Sequence, residues 1–465
     1  MELTADRPHP LRVAIVGAGP AGFYAAGRLL RDRELGARVE LIDRLPTPWG
    51  LVRSGVAPDH QKIKNVTRVY EQIAALPGFR FHGNVAVGRD VSHAELRRHH
   101  HAVIYAYGSA RDRRLGIPGE DLPGSHAGVD FVAWYNGHPD ARELDFDLSV
   151  KRAVVIGNGN VALDVARMLC LDADTLAGTD MADHAIEALA RSEVEEVVVL
   201  GRRGPAQAAF TTPELRELGE LDGVRVVVDP RDAELDPASA AWLERAGATA
   251  QRNVEVIREF ARRPESPARR RLVLRFLLSP EEILGEERVT GIRVRRNELV
   301  ADEDGKPRAR ATEEREVIDC GLVLRCIGYR GVGIEGVPFD EASGTVPNER
   351  GRVLADGAPC PGVYVAGWIK RGPSGVIGTN KLCAHETVES LLEDHAAGRL
   401  PAPEAGEDEF LALLAERVPD RVDYAGWEEI DRHERARGEE QGRPRVKVTR
   451  REDLVAIASG ALETT

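Results

Sequence analysis

Two glycine-rich turns carry the clearest chemistry in this sequence. Gly17, Gly19 and Gly22 form a G-x-G-x-x-G pattern directly after an apolar run. Gly157 and Gly159 open a similar G-x-G-x-x-A pattern. Glycines at the first two positions permit a tight turn and let a pyrophosphate approach the backbone, where amide groups at the start of a helix can bind it. The repeat therefore predicts two dinucleotide-binding units in one chain.

The charge that follows the next strand differs between these two units. In the first unit, Asp43 ends the apolar run VELID. A carboxylate there would accept hydrogen bonds from ribose hydroxyls and would repel a 2′-phosphate. In the second unit, VVVLG is followed by Arg202 and Arg203, whose guanidinium groups suit a phosphate. The contrast indicates NAD or FAD in the first unit and NADP(H) in the second, although each motif taken singly could be a solvated turn.

Apolar runs predict the elements that must position these groups. A helix is predicted after each glycine turn, and buried strands are predicted at 13–16, 39–43, 102–108, 153–156, 197–200 and 321–331. Residues 270–300 are predicted to form antiparallel strands. Within 362–380, a strand and the turn GPSGVIGTNK precede a helix whose start could stabilise negative charge on a flavin ring. The charged run 431–447 is predicted to be a solvated helix face and a linker.

Bulk composition limits the class of protein. The 465 residues are 42% hydrophobic and 30% charged, which is typical of a globular chain with two domains. A net charge of −13 argues against nucleic acid as a partner. The five cysteines include no C-x-x-C pair, which argues against a metal or iron–sulfur site in this chain. No apolar stretch or N-terminal signal predicts membrane insertion or export, so the cytoplasm is the expected location.

Several long motifs are shared with one enzyme family. They are AIVGAGPAGFYAA, LPTPWGLVRSGVAPDHQKIK, FHGNVAVGRDV, IPGEDLPGS, FVAWYNGHP, VVIGNGNVALDVARML, GRRGPAQAAFTTPELREL and GWIKRGPSGVIGTNK. On these motifs the chain closely resembles, nearly end to end, the NADPH–ferredoxin reductases of the adrenodoxin reductase type. Its C-terminal region is more similar to the bacterial members than to the mitochondrial ones.

The resemblance implies an α/β fold with two Rossmann-like dinucleotide-binding domains, as in glutathione-reductase-like two-dinucleotide flavoproteins. An NADP-binding domain, 110–330, would be inserted into a FAD-binding domain made of 1–109 and 331–465, with a C-terminal extension from about 400. The implied activity is that of a ferredoxin–NADP(+) reductase. A hydride would pass from NADPH to N5 of FAD, and single electrons would then reach a ferredoxin-type iron–sulfur protein, often one that feeds a cytochrome P450.

The resemblance also assigns cofactor contacts, residue by residue. The implied FAD contacts are Gly17, Gly19, Ala21, Asp43, Leu51, Val87, Trp368, Gly375, Val376 and Ile377. The implied NADP(H) contacts are Asn158, Gly159, Asn160, Val161, Arg202, Arg203, Glu214 and Gly375, the last of these near the nicotinamide. Asp43 stands where Glu is more usual in the family.

Three polar residues are implied to act near the reaction centre. His60 and Asp164 would face the flavin and relay protons, and Glu217 is the third candidate. Thr212 is predicted to cap the helix that contains Glu217, with proline at the first helical position. From the residues alone, Asp164 could equally serve the dipole or cap of its helix, and His60 could be a structural histidine.

The expected partner is an acidic ferredoxin, which a positive docking surface would attract. Candidate surface charges are Arg28, Arg31, Lys62, Lys64, Arg68, Lys370 and Arg371. No bound metal is expected, and a monomer is favoured. Two alternatives stay open. One is an electron-input subunit of a larger complex, such as the small subunit of glutamate synthase, although no cysteine-rich cluster domain is seen. The other is a flavin-binding scaffold without turnover.

Overall fold

The computed structural model describes residues 10–375 and 377–461. The chain forms two compact units: residues up to Arg111 and from Tyr329 onward make the first, and Asp112–Gly328 make the second. The second unit is therefore inserted into the first, as expected of a two-dinucleotide flavoprotein. The sequence placed the divisions at 109/110 and 330/331, two residues from those observed. Which cofactor each unit binds stays a prediction.

The first unit is built on a seven-stranded sheet. Strands and helices are numbered in chain order through both units. The strands of this sheet are β1 (Arg12–Val16), β2 (Arg38–Ile42), β3 (Phe79–His82), β4 (Ala102–Tyr105), β16 (Asn348–Glu349), β17 (Arg352–Ala355) and β18 (Ala358–Val365). Their order is β16-β17-β18-β4-β1-β2-β3. Two short strands, β5 (Arg111–Asp112) and β15 (Tyr329–Arg330), lie where the chain passes between units.

Helices precede and follow the insertion in the first unit. They are α1 (Pro20–Leu30), α2 (Leu51–Ser54), α3 (Gln61–Lys64), α4 (Thr67–Ala74), α5 (His93–His99), α14 (Trp368–Arg371), α15 (Ile377–Ala396), α16 (Glu407–Arg417), α17 (Tyr424–Glu440) and α18 (Arg451–Ala458). Strand β1 pairs in parallel with β2 and β4. Val13 packs in one apolar cluster with Phe23 of α1, while Ala14 packs in another with Leu96 of α5. Burial on both faces explains the unbroken apolar sequence of this strand.

The second unit contains two further sheets. Its strands are β6 (Ser125–Ala127), β7 (Arg152–Ile156), β8 (Glu196–Leu200), β9 (Val224–Val228), β10 (Arg270–Arg275), β11 (Leu278–Leu284), β12 (Gly291–Ala301), β13 (Pro307–Asp319) and β14 (Leu322–Arg325). Its helices are α6 (Gly128–Tyr135), α7 (Asn160–Cys170), α8 (Ala173–Ala177), α9 (Asp183–Ala190), α10 (Thr212–Leu218), α11 (Pro230–Ala233), α12 (Pro237–Arg245) and α13 (Ala248–Arg262).

The larger sheet of this unit has the order β6-β14-β7-β8-β10-β9. The prediction of antiparallel strands over 270–300 is confirmed for β11 and β12, which pair antiparallel, but it is wrong for β10. Strand β10 pairs in parallel with both β8 and β9. The chain reaches β10 from β9 through α11, α12 and α13, and a crossover of this length returns the chain in the same direction.

The predicted solvated character of 431–447 is wrong for several of its residues. Glu434 is fully buried in α17, and Arg443 and Lys447 beyond the helix are also buried. Trp427 and Ile430 lie on the same face of α17 as Glu434, at helical spacing, and belong to the apolar core of the first unit. The C-terminal region is therefore part of that unit's interior.

Within the described ranges, no helix is both long enough and apolar enough to cross a membrane.

Candidate cofactor-binding sites

The glycine turn of the first unit lies between β1 and α1. Gly17 has a φ of +109°, and its amide donates to the carbonyl of Ile42 at the end of β2 (2.7 Å). A Cβ at this position would lie 2.6 Å from the carbonyl oxygen of Ala106. Gly19 is the N-cap residue of α1, and Pro20 follows it as the first helical residue. The turn therefore presents bare backbone at the start of a helix, as a pyrophosphate site requires.

Asp43 supports this turn directly. Its Oδ2 accepts from the amide of Ala18 (2.8 Å) and its Oδ1 from the amide of Leu45 (2.9 Å). Burial raises the pKa of Asp43, although these two hydrogen bonds act to lower it. The carboxylate thus orients the glycine turn from the end of β2. Each oxygen keeps a further lone pair that can accept a hydrogen bond. A contact with ribose is therefore possible and stays a prediction.

A second turn, at Trp49 and Gly50, closes on the first. The amide of Trp49 donates to the carbonyl of Ala18 (2.8 Å). Gly50 has a φ of +51°, and a Cβ there would lie 2.9 Å from Cα of Gly19. Trp49 itself adopts a φ of +82°, which is unusual for a residue with a side chain. Leu51 of this motif is a predicted FAD contact and Trp49 is not, although Gly50 beside Trp49 was a signal for a close turn.

Other predicted FAD residues lie around the same turn. The segment that contains Val87 is joined to it, because the amide of Val85 donates to the carbonyl of Asp43 (2.9 Å). Trp368 follows Gly367, at which a Cβ would lie 2.8 Å from Cβ of Ala21. Leu51 is the first residue of α2. These residues thus lie in segments that contact the glycine turn, α1 or Asp43, and their contact with FAD stays a prediction.

Arg371, one of the predicted docking charges, is engaged at the start of the segment that leads to α15. Arg371 donates to the carbonyl of Ser374 and to Oδ1 of Asn380 (2.9 Å), so its guanidinium spans the turn. Gly375 in this turn is exposed and has a φ of +80°, and Ile377 begins α15. Val376, also predicted to contact FAD, lies outside the described residues.

Lys370 is likewise unavailable as a surface charge, which corrects that prediction. Its ammonium group donates to Oε2 of Glu386 (2.5 Å) and to Oγ1 of Thr387 (3.1 Å), and its side chain is 7% exposed. Arg28 is paired with Glu389. Of the remaining candidate docking charges, Arg31, Lys62 and Arg68 are exposed and Lys64 is half-buried.

The second unit repeats the geometry of the first. The amide of Gly157 donates to the carbonyl of Leu200 (2.8 Å), as Gly17 does to Ile42. Gly159 caps α7, and a Cβ added to it would meet no atom within 4 Å. Asn160 at the start of α7, next to Val161, accepts from the amide of Thr211 through Oδ1 (2.8 Å). The helix start is therefore open on the side where a phosphate would approach.

Arg202 and Arg203 follow β8. Among the described residues, neither guanidinium makes an ion pair or a side-chain hydrogen bond. Arg202 is exposed and Arg203 is half-buried. Burial, followed by the charges of Arg202 and Arg308, lowers the pKa of Arg203. Two neighbouring cations without a counter-ion among the residues that the structure describes are suited to a dianionic phosphate.

The predicted catalytic acids Asp164 and Glu217 are joined by one buried arginine. NH2 of Arg167 donates to Oδ1 of Asp164 (2.9 Å), and its NH1 lies 3.5 Å from Oε2 of Glu217. Arg167 has no exposed surface. The structure therefore brings these two carboxylates of the second unit into one ion network. His60, in the first unit, is half-buried and precedes α3 as its N-cap residue.

The helix that carries Glu214 and Glu217 begins one residue earlier than predicted. Its N-cap residue is Thr211, so Thr212 is already helical and Pro213 is the second helical residue. The hydroxyl of Thr212 donates instead to Oδ1 of Asn253 (2.7 Å). Burial of Thr212 against α13 explains why it does not cap the helix. Glu214 lies half-buried in the first turn.

Several buried donors also fit bound dinucleotides. In the first unit, the indole N–H groups of Trp49 and Trp368 are buried and find no hydrogen-bond partner within the described part of the chain. In the second, the same holds for the Nδ2 group of Asn158, beside the glycine turn. Buried donors are normally satisfied, so an unpartnered one is compatible with a ligand acceptor. The residues present therefore fit a dinucleotide in each unit.

Known proteins are similar to this chain over nearly its whole length. Residues 11–203 match the family described as pyridine nucleotide-disulphide oxidoreductase. The NADPH-ferredoxin reductase FprA of Mycobacterium tuberculosis is 52% identical over 460 residues, which cover 97% of this chain and 100% of that one. The mitochondrial NADPH:adrenodoxin oxidoreductase of Arabidopsis thaliana is 43% identical, covering 97% of this chain and 96% of its own.

The solved structures agree with the sequence relatives. The structure of Mycobacterium tuberculosis FprA in complex with NADPH matches with a TM-score of 0.92 and 50% identity, covering 97% of this chain and 100% of the other. At this identity and coverage, fold and family are shared together. The chain belongs to the NADPH–ferredoxin reductase family that includes FprA and the NADPH:adrenodoxin oxidoreductases.

Proposed function

We propose that this protein is a FAD-dependent NADPH:ferredoxin oxidoreductase. The observation that carries the proposal is the charge contrast at two equivalent strand ends. Asp43 holds the glycine turn of the first unit, whereas Arg202 and Arg203 of the second unit lack a carboxylate partner among the residues described. When bound, FAD would supply the chemistry that couples hydride transfer from NADPH to single-electron transfer to an iron–sulfur acceptor. The name and the NADPH-bound structure of FprA support the same assignment.

In the proposed FAD site, this chain contributes mainly backbone. The amides at the start of α1 would bind the pyrophosphate, with Gly17 and Gly19 leaving room for it. Asp43 would hold the turn and accept from a ribose hydroxyl with its remaining lone pairs. The N–H groups of Trp49 and Trp368 are the proposed additional donors to the cofactor. The remaining proposed contacts are Ala21, Leu51, Val87, Gly375 and Ile377.

In the proposed NADPH site, charge decides between nucleotides. Arg202 and Arg203 would bind the 2′-phosphate, and Asn158, Gly159, Asn160 and Val161 would line the pyrophosphate at the start of α7. Glu214 would accept from a ribose hydroxyl. For Asp164 and Glu217, we propose that Arg167 holds both carboxylates in position. For His60, the proposed role is to hold a proton at its imidazole.

For the partner, we propose an acidic ferredoxin that meets exposed positive charge on the reductase. Arg31, Lys62 and Arg68 remain as candidates because their side chains are exposed. We further propose that the protein acts as a monomer. We also propose that it acts in the cytoplasm, because all five cysteines are free thiols, as is typical of a reducing compartment.

The arginine pair provides the decisive test. In the Arg202→Ala/Arg203→Ala variant we expect the rate of anaerobic flavin reduction at limiting NADPH to fall about 100-fold, because hydrogen bonds to a charged group contribute about 1.5–3 kcal/mol each. Reduction by NADH should change little. The measurement is stopped-flow loss of flavin absorbance with each nucleotide.

Arg216→Ala, an exposed arginine on α10 of the same unit, is the matched control and should behave as the wild type. A double variant that still prefers NADPH would disprove the assignment of this site. Reduction by NADPH without electron delivery to any ferredoxin would instead support a scaffold without turnover.

A further inference from the structure

The buried carboxylate of Glu434 has an unusual set of partners. Arg53 donates to both of its oxygens, from NH1 to Oε2 (2.8 Å) and from NH2 to Oε1 (2.5 Å). Arg445 adds a bond to Oε2 (3.0 Å), and the amide of Val448 a bond to Oε1 (2.8 Å). Burial alone would raise the pKa of Glu434, but these charges and hydrogen bonds hold the pKa at about 2. The group is therefore ionised and fully coordinated inside the first unit.

One of these partners connects the C-terminal region to the glycine turn of the first unit. Arg53 belongs to α2, and its amide donates to the carbonyl of Gly50 (3.1 Å). Gly50 lies against Gly19, and the amide of Trp49 is bonded to Ala18. A displacement of Arg53 would therefore be transmitted within one helical turn to the backbone that faces the pyrophosphate.

Aromatic contacts strengthen the same connection. Trp49 meets Trp427 of α17 edge to face, with ring centroids 4.7 Å apart. The guanidinium of Arg53 lies 5.5 Å from the Trp427 ring, and that of Arg445 lies 5.7 Å from the Trp49 ring. Both distances are within the range of cation–π attraction. The two tryptophans thus contact each other, and each has one of the two arginines bonded to Glu434 over its ring.

Lys447 adds a contact to the backbone of α2. Its ammonium group donates to the carbonyl oxygen of Arg53 (3.1 Å), and its side chain is buried. This contact differs in kind from the ion pair, because it holds the α2 main chain instead of the Arg53 side chain. Residues 427–448 therefore contact α2 through charge, aromatic rings and backbone.

We infer that the C-terminal segment 427–448 is a positioning element of the FAD site, with Glu434 fixing α2 and the Trp49–Gly50 turn against the glycine turn. This inference rests on the proposed binding of FAD to the first unit. It goes beyond the proposed function because it assigns a role to a region that contributes none of the predicted cofactor contacts. Glu434 is a positioning residue, acting through Arg53.

The test measures FAD affinity, apart from turnover. The full-length protein is stripped of flavin, and the dissociation constant for FAD is measured by fluorescence quenching for the wild type and for Glu434→Gln. We expect the dissociation constant to rise about tenfold, the lower end of the losses seen when a group that orients a ligand site is removed. The affinity of the second unit for NADP+ should stay unchanged, which a general loss of structure would not allow.

Glu440→Gln is the matched control, because Glu440 is an exposed residue of the same helix. Lys447→Met and Trp427→Phe are milder variants for which we expect a several-fold weakening of FAD binding. They decide the question if Glu434→Gln fails to fold. Folded variants with wild-type affinity for FAD would overturn the inference, whereas a wild-type protein that binds no FAD would overturn the proposed function itself.

Discussion

Asp43 and Arg203 stand near equivalent strand ends and meet opposite surroundings. The carboxylate of Asp43 is already bonded to two backbone amides, which fixes its direction. Arg203 is half-buried beside Arg202 and Arg308, and the described residues offer its guanidinium no bonded carboxylate. Asp43 therefore supports the conformation of its turn, whereas Arg203 adds positive charge to its own. This difference matters more than the sign of the charge alone, because only the arginine pair would gain a counter-ion from the proposed 2′-phosphate.

A substitution of Asp43 separates its two roles. Asp43→Ala removes the acceptors of Ala18 and Leu45 and should lower the free energy of unfolding of the flavin-free protein by about 1–3 kcal/mol. Asp43→Asn keeps one carbonyl oxygen and should lose less. Chemical denaturation of the flavin-free protein, followed by circular dichroism, measures the difference. Equal stability of Asp43→Ala and the wild type would show that the turn holds itself.

At the scale of elements, α17 is the clearest case in which local pattern and final position disagree. Its sequence contains many charges, so the pattern predicted a solvated face. Glu434 is nevertheless buried. The pattern did not show this, because its partner Arg53 lies 381 residues away in the chain. A buried charge requires such partners, and although Arg445 lies 11 residues from Glu434, the doubly bonded partner Arg53 lies in no local window of sequence. The burial of Lys370 was missed for a related reason, since its partners Glu386 and Thr387 lie 16 and 17 residues further along the chain.

The elements that were predicted correctly are each formed by one continuous stretch of sequence. Glycine turns, apolar strands and the helices that follow them are contiguous in sequence, so the β1–α1 and β7–α7 units could be read directly. The direction of β10 could not, because it depends on the path through α11, α12 and α13. Similarly, the sequence showed Leu51 within a motif but not the closure of Trp49 on Ala18, which is a tertiary contact.

The Glu434 cluster also predicts how stability depends on pH. The pKa of Glu434 is about 2 in the folded protein, below its ordinary value of 4.5. The unfolded chain therefore binds the proton first as the pH falls. The contribution is complete above pH 4.5 and is lost as the pH falls toward 2, which amounts to about 3 kcal/mol.

Denaturant unfolding of the wild type and of Glu434→Gln between pH 6 and pH 2.5 measures this contribution. We expect the difference in stability between the two proteins to shrink as the pH falls. A difference that stays constant over this range would mean that Glu434 does not titrate with unfolding.

At the scale of the whole molecule, the chain consists of a split first unit and an inserted second unit, each with its own sheets and core. The second unit packs Phe131, Leu163, Val197 and Leu272 in one apolar cluster of its own. A compact unit of this size, with its own core, is expected to fold independently. We therefore predict that a fragment of residues 112–328 folds with a cooperative thermal transition.

This fragment should also bind NADP+ more tightly than NAD+, because Arg202 and Arg203 lie wholly within it. Calorimetric titration with the two nucleotides measures the preference, and the Arg202→Ala/Arg203→Ala fragment should lose it. A folded fragment without any preference would place the discrimination elsewhere in the protein.

The split first unit has a consequence for synthesis on the ribosome. By residue 325 the nascent chain contains every strand of the second unit's larger sheet, whereas the first unit still lacks β18, which pairs with β4. The ion pair of Arg53 forms later still, because Glu434 and Val448 must first leave the exit tunnel. The glycine turn emerges among the first residues, yet its support is among the last to be translated. Flavin capture should therefore be a late event, following translation of nearly the whole chain.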